Sequence, residues 1–250
     1  MKKYILILLL AIFPATSFAS SGVHLDTAPI DIYDKDSIKR GAKSFADYCF
    51  SCHSAKFMRF NRIAKDTGMS EEEVREMMIF TRNKKGKATK IGDLMTVSMT
   101  EDYARSTFGT AVPDLSLTAR ARGADWLYTY LRTFYADAYR PTGMNNIAFP
   151  DVGMPHVLGQ LQGIQKPVYV TEDHNGVAVE RIEGFETVQA GSMTTEEYDA
   201  FVADLVNFMV YLAEPVQTER RDMGVYVLIF LAIFFVFAYL LKKEYWKDVH

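Results

Sequence analysis

The chain has 250 residues, 49% of them hydrophobic, with a formal charge of −3 and only two cysteines. That length allows one or two domains, and two thiolates exclude a four-cysteine zinc site. The apolar residues gather at the two ends, and residues 20–223 between them hold 23 Lys and Arg against 29 Asp and Glu. A body charge of about −6 disfavours nucleic acid and suits a cationic or dipolar partner, although such acidity also serves solubility alone.

Residues 1–19 have the pattern of a secretory signal peptide. Lys2 and Lys3 form a basic start, Tyr4 to Phe13 an apolar run ended by Pro14, and Ser17-Phe18-Ala19 a small-residue cleavage site. The mature chain is expected to begin near Ser20, with a retained N-terminal anchor as the alternative. Ser20 to Tyr33 is polar and reads as an extended arm. From Asp36 or Ser37, helical spacing places Ile38, Ala42, Phe45, Ala46 and Cys49 on one face.

That helix runs into Cys49-Phe50-Ser51-Cys52-His53, which contains both cysteines of the chain. C-x-x-C-H is the attachment pattern of c-type haem. Each thiol adds to one porphyrin vinyl group, so the sulfurs must lie about one helical turn apart, and the adjacent histidine supplies an axial imidazole. A thioredoxin-like pair needs no histidine and accompanies a βαβ pattern that is missing here. A structural disulfide is the remaining alternative.

Ser54 to Gly68 is mixed and basic, with no assigned element. Ser70-Glu71-Glu72-Glu73 is a capping box opening a short helix with Val74, Met77 and Met78 inward. Arg82 to Lys90 reads as a solvated basic loop, with a docking patch as the alternative. Thr100 to Phe108 is expected to be a short helix and Val112 to Ser116 a turn. A helix over Ala124–Ala136 carries Trp126, Leu127, Tyr130, Leu131 and Phe134 as a stripe. Most of that stripe is core, but Trp126 or Tyr130 could cover a porphyrin face. Asn175-Gly176 between alternating apolar residues is a strong hairpin signal and predicts a small β-hairpin over Val168–Val188. A second capping box, Thr194 to Glu197, opens a helix that stops near Pro215.

Residues 224–241 form an uncharged apolar run long enough to cross a bilayer, with Tyr226, Tyr239, Tyr245 and Trp246 near its ends, where interfacial aromatics are expected. Arg220 and Arg221 precede it and Lys242, Lys243 and Lys247 follow, so charge alone leaves orientation open. The exported start puts the body, residues 20–223, outside and the tail, residues 242–250, inside. The predicted fold is mainly α, with a small hairpin and one C-terminal transmembrane helix.

A second axial ligand decides whether a haem here is closed or open to small molecules. Arg140 to Gln165, rich in Pro and Gly, contains Met144, Met154 and His156. Met154 is the leading candidate because Pro150 and Pro155 restrict its loop and Gly153 allows close approach. His156 would give a lower-potential, bis-histidine haem. Met77, Met78 and Met209 lie on helical stripes and read as core.

Taken in order, these segments resemble the cytochrome c1 family, the haem-bearing subunit of bacterial cytochrome bc1 complexes. The matching pieces are Arg40-Gly41 with Cys49 to Ser54, Pro113 to Ser116 with Ala121-Arg122-Gly123, Asn146 to Pro155, Leu205 to Phe208 through Ala213-Glu214-Pro215, and Glu219 to Gly224 before the single anchor. Where relatives run His-Gly-Gly after the arginine, this chain has Gly123-Ala124. It also has Trp126 where a tyrosine is common and lacks a cysteine pair that many relatives oxidise.

The resemblance implies a class I cytochrome c core, with the first and last soluble helices packed together. It implies one covalent haem c per chain, with His53 and Met154 as axial ligands. Arg122 would pair with a propionate, and the Pro113 carbonyl would accept from the axial imidazole. It further implies electron transfer from the Rieske iron–sulfur protein to a soluble cytochrome c, beside cytochrome b in a dimeric complex of the bacterial inner membrane. The haem domain would lie in the periplasm, and the chain would be an electron-transfer subunit with no bond-making chemistry of its own. The alternatives are a membrane-anchored cytochrome serving a terminal oxidase and a haem sensor or peroxidase with an open site.

Overall fold

The structure is a computed structural model that describes residues 23–82, 86–174 and 177–248. The signal-peptide reading of residues 1–19 and the Asn175-Gly176 turn lie outside the described residues, as does part of the basic loop. Nine helices and three two-stranded antiparallel sheets occupy the described residues.

The first helix, α1 (Lys35–Tyr48), is capped by the Asp34 carboxylate, which accepts from the Asp36 and Ser37 amides. Such a cap satisfies amides that have no partner within the helix. Its inward face is the expected one: Ile38, Ala42, Phe45 and Ala46 are buried. That face lies against α8 (Thr195–Ala213), opened by the Thr194–Glu197 capping box.

The crossing of the two helices is close. A Cβ on Gly41 would land on the Asp204 carbonyl and 2.7 Å from Phe208 Cβ. Beside it the rings of Phe45 and Phe208 meet at 5.4 Å, and Asn207 Nδ2 donates to Ser37 Oγ at 2.9 Å and to the Asp31 carbonyl at 2.7 Å. Phe45 and Phe208 are both fully buried, each contributing about 1.5–3 kcal/mol. At the edge of the crossing, Arg40 forks onto Asp204 at 2.6 and 2.9 Å.

Ser54 to Gly68 is more ordered than the sequence reading allows. It contains β1 (Ala55–Arg59) and α2 (Phe60–Thr67), the latter ended by Gly68 at φ 77°. Phe60, Ile63, Ala64 and Thr67 are buried at i, i+3, i+4, i+7 spacing; the basic residues on the outer face conceal this stripe. Strand β1 pairs with β2 (Leu94–Met95). Between them α3 (Glu71–Met78) carries the Ser70–Glu73 capping box, with Val74 and Met78 buried and Met77 half-buried. The short helix expected over Thr100–Phe108 is α4 (Glu101–Phe108), capped by the Thr100 hydroxyl.

The helix expected over Ala124–Ala136 is shorter and is preceded by α5 (Thr118–Arg122). Helix α6 (Ala124–Arg132) ends in a cluster where Arg132 binds Asp199 at 2.6 and 2.8 Å and Asp26 at 2.6 Å. Beyond it, β3 (Phe134–Ala136) pairs with β4 (Met144–Asn146). Phe134 therefore joins the aromatic stripe from a strand. A short α7 (Gly159–Gln162) leads into the hairpin, whose strands β5 (Gly163–His174) and β6 (Val177–Ala190) extend beyond Val168–Val188.

The C-terminal helix, α9 (Gln217–Tyr245), has 29 residues and a mean hydropathy of 2.7 over its most apolar window. It starts seven residues before the apolar run at Gly224, because Glu214 gathers Arg220 at 2.5 Å and Arg120 at 3.7 Å across the Pro215 turn. The bond from Arg220 holds the Glu214 carboxyl below the usual carboxylate range. No residue of α9 is buried against the body. Ending the chain at Met223 is therefore expected to leave the thermal unfolding midpoint of the body within about 3 °C. Calorimetry of the truncated and full-length chains in one detergent measures that difference.

Candidate haem site

The C-x-x-C-H segment continues the last turn of α1. The Cys49 and Phe50 amides both donate to Phe45 O at 2.9 Å, and His53 N donates to Cys49 O at 2.9 Å. Phe50 anchors it: the ring is fully buried, 6.1 Å from Phe45, 5.8 Å from Phe60 and 5.8 Å from Phe80. The apolar residue between the cysteines thus points into the core, while Cys52 and His53 stay half-buried. Burial, with Cys52 nearby, pushes the Cys49 thiol up to about 12, so the free thiol is held neutral.

His53 faces the Pro113 turn, with Nδ1 2.8 Å from the Pro113 carbonyl oxygen. A carbonyl can only accept, so Nδ1 carries the proton and Nε2 keeps its lone pair. Burial lowers the His53 pKa and outweighs the Pro113 bond and Asp114, which raise it. The neutral, ligand-competent imidazole is therefore the favoured form.

The turn itself is stitched to the segment after His53. Leu115 N donates to Ser54 O at 2.8 Å, Lys56 N to Asp114 Oδ2 at 2.9 Å, and Phe57 N to the buried Ser116 hydroxyl at 3.1 Å. Asp114 Oδ1 also accepts from Ser116 N at 3.0 Å, the Asx-turn habit of aspartate. Sequence reasoning placed a turn here but did not single out Ser54, Asp114 or Ser116 as the residues that hold it.

Met154 arrives on a loop fixed by two buried asparagines. Asn146 Nδ2 donates to Tyr130 O at 2.7 Å, and its Oδ1 accepts from Phe149 N at 3.1 Å. Asn145 Oδ1 accepts from Asp151 N at 2.9 Å, and Arg140 clamps Asp151 at 2.7 and 2.9 Å. Asp151, at φ 62°, is the one non-glycine with positive φ among the described residues. Such a conformation costs on the order of 1 kcal/mol and is held by these bonds. Gly153 lines the cavity, and a Cβ there would lie 3.1 Å from Thr110 Cγ2.

These parts enclose one cavity of about 480 Å³. Cys49, Cys52, His53 and Pro113 line it from the attachment side. Met154, Val152 and Pro155 come from the methionine loop, Arg122, Trp126, Leu127 and Tyr130 from α5 and α6, and Leu205 and Met209 from α8. Trp126 and Tyr130 stack at 5.0 Å and 10°. Burial keeps the Tyr130 phenol well above its ordinary pKa, hence protonated.

Arg122 lies over the Trp126 ring at 5.0 Å and the Phe149 ring at 5.8 Å. Among the described residues no carboxylate is recorded as its ion-pair partner. Of the rival ligands, Met144 is buried on β4 with Phe134 and Val152. His156 stacks on Phe134 at 4.8 Å and 6° and is not among the cavity-lining residues. Met209 lines the cavity from α8.

A mostly apolar slot, two thiols and an imidazole on one side, a thioether on another and a guanidinium held over two aromatic rings fit a covalently bound porphyrin. Comparison with known proteins agrees. A family model described as the Cytochrome C1 family matches residues 26–249. The chain is 49% identical to cytochrome c1 of Allochromatium vinosum over the full length of both. It is 51% identical to a Nitrosomonas europaea protein named ammonia monooxygenase gamma subunit, over 100% of this chain and 98% of that one. A Bradyrhizobium diazoefficiens cytochrome b/c1 is 26% identical over 89% of this chain and 34% of its own.

Proposed function

Because the chain belongs to the cytochrome c1 family, we propose that it relays single electrons from the Rieske iron–sulfur protein to a soluble periplasmic cytochrome c. Family membership supplies the coarser statement: this is a membrane-anchored haem-c electron-transfer subunit of a cytochrome bc1 complex, beside cytochrome b and the Rieske protein. The observation that carries the finer reading is that His53 and Met154 line the same cavity.

When bound, haem c supplies a one-electron ferric/ferrous couple. Cys49 and Cys52 would hold it covalently, one haem per chain, with His53 Nε2 and Met154 Sδ as the groups that would bind its iron. The Pro113 carbonyl accepts the hydrogen bond from His53 Nδ1–H and so fixes the tautomer whose Nε2 is free to donate. A soft thioether would favour ferrous iron, and a second protein donor would close the site to small molecules. The apolar walls from α6 and α8 exclude water.

Arg122, which lines the cavity, would pair with a haem propionate. Arg122→Gln is expected to retain haem but lower the reduction potential by the equivalent of about 1 kcal/mol, the scale of a partly exposed charge pair. A redox titration of the holoprotein measures it, and an unchanged potential would show that Arg122 does not face the haem.

The body lies in the periplasm, the tail from residue 242 in the cytoplasm and the apolar part of α9, residues 224–241, in the bacterial inner membrane, within a dimeric complex. The domain limits follow: signal peptide 1–19, periplasmic domain 20–223, membrane span 224–241 and tail 242–250. Purification in gentle detergent, followed by identification of what stays bound, tests the assignment. Co-purified b-type haem and an iron–sulfur subunit are expected. A copper–haem oxidase or a monooxygenase in their place would overturn it, as would a ferrous haem that binds CO readily.

A further inference from the structure

We propose that Tyr130 is a positioning residue for Met154: its phenol donates to the thioether sulfur and so sets how strongly that sulfur donates to iron. This rests on Met154 being the axial ligand. Tyr130 Oη is 3.3 Å from Met154 Sδ, and the sulfur is the only partner recorded for the hydroxyl among the described residues.

Tyr130 is held at its ring and at its backbone. Trp126 stacks on one face at 5.0 Å, Phe134 meets the ring edge at 5.1 Å and 68°, and the Tyr130 carbonyl accepts from Asn146 Nδ2 at 2.7 Å. Asn146 is fully buried and also accepts from Phe149 N in the loop leading to Met154. One amide side chain thus ties donor and acceptor to each other.

A thioether sulfur is a weak acceptor, and its two lone pairs let one face a metal while the other accepts. A hydrogen bond draws electron density from the sulfur. Ferric iron, which needs more donation, is disfavoured relative to ferrous, so Tyr130 raises the potential. Groups bonded to a ligand tune the metal in this way.

The test uses the full-length holoprotein in its detergent-solubilised complex, as Tyr130→Phe, Met154→Leu and the double variant. Phe keeps both ring contacts and removes only the O–H. Two readouts are followed: the equilibrium with a redox mediator and the sulfur-to-ferric-iron charge-transfer absorption.

Tyr130→Phe is expected to keep the absorption but displace it, and to shift the equilibrium towards ferric by roughly two- to tenfold, the range carried by one hydrogen bond. In the Met154→Leu background it should shift nothing further. A wild-type potential and absorption in Tyr130→Phe, while Met154→Leu changes both, would overturn the role of Tyr130 and leave the ligand assignment standing. An equal shift with and without the sulfur would also overturn it, because the effect would then bypass Met154. No change in Met154→Leu would overturn the ligand assignment, and this inference with it.

Discussion

Replacing Met154 with Leu is expected to lower the reduction potential by on the order of 0.2 V, within the roughly 0.8 V that axial ligands span. For one electron that is about 4.6 kcal/mol, or more than three orders of magnitude in an equilibrium constant. In the proposed relay, reduction by the iron–sulfur protein would then run uphill, and quinol-to-cytochrome turnover is expected to be lost. The fold should survive, because Met and Leu are similar in volume and such exchanges typically cost less than about 1.5 kcal/mol. The half-buried Met154 sits at the edge of the small cluster of Phe134, Met144 and Val152. Potentiometry of the variant, with its thermal midpoint as a folding control, checks the prediction. An unchanged potential would place the ligand elsewhere, with Met209 the next methionine along the cavity wall.

Gly41→Val is expected to act on the whole molecule. A Cβ at that position lands on the Asp204 carbonyl and 2.7 Å from Phe208 Cβ, and both neighbours lie on α8. Neither can yield as a flexible side-chain tip could, so α1 must move away. That motion loosens the Phe45–Phe208 contact and the Asn207 bonds to Ser37 and Asp31. Overpacking in a core typically costs about 1–3 kcal/mol, and a β-branched residue against backbone lies at or above the upper end. Because α1 delivers Cys49, haem attachment should fall with stability. The yield of covalent holoprotein and its thermal midpoint measure both effects; a wild-type midpoint would show that the helices are not in this contact.

The Cys49–His53 segment was legible because covalent haem attachment demands fixed residue types at fixed spacing. Both capping boxes and the apolar run at Gly224 were legible for a similar reason: each is a local pattern with a local physical cause. The helix α2 escaped because its basic outer face hides a stripe of only four buried positions. The end of α6 was misplaced because Phe134 continues the stripe in space but not in helical phase.

The sequence by itself determined the haem-attachment motif, the apolar C-terminal helix long enough to cross a membrane and the helical character of the body. Each depends on residues close together in the chain, whose spacing is set by covalent geometry. Only the tertiary structure decided which distant groups meet. It carried His53 to the Pro113 carbonyl across 60 positions, brought Met154 rather than His156 to the cavity, and set the Tyr130 phenol on the sulfur. Those meetings depend on the α1–α8 crossing at Gly41 and on loops fixed by the Asp114, Asn145 and Asn146 side chains. Hydrogen bonds and packing between remote segments have no period that a linear reading can detect.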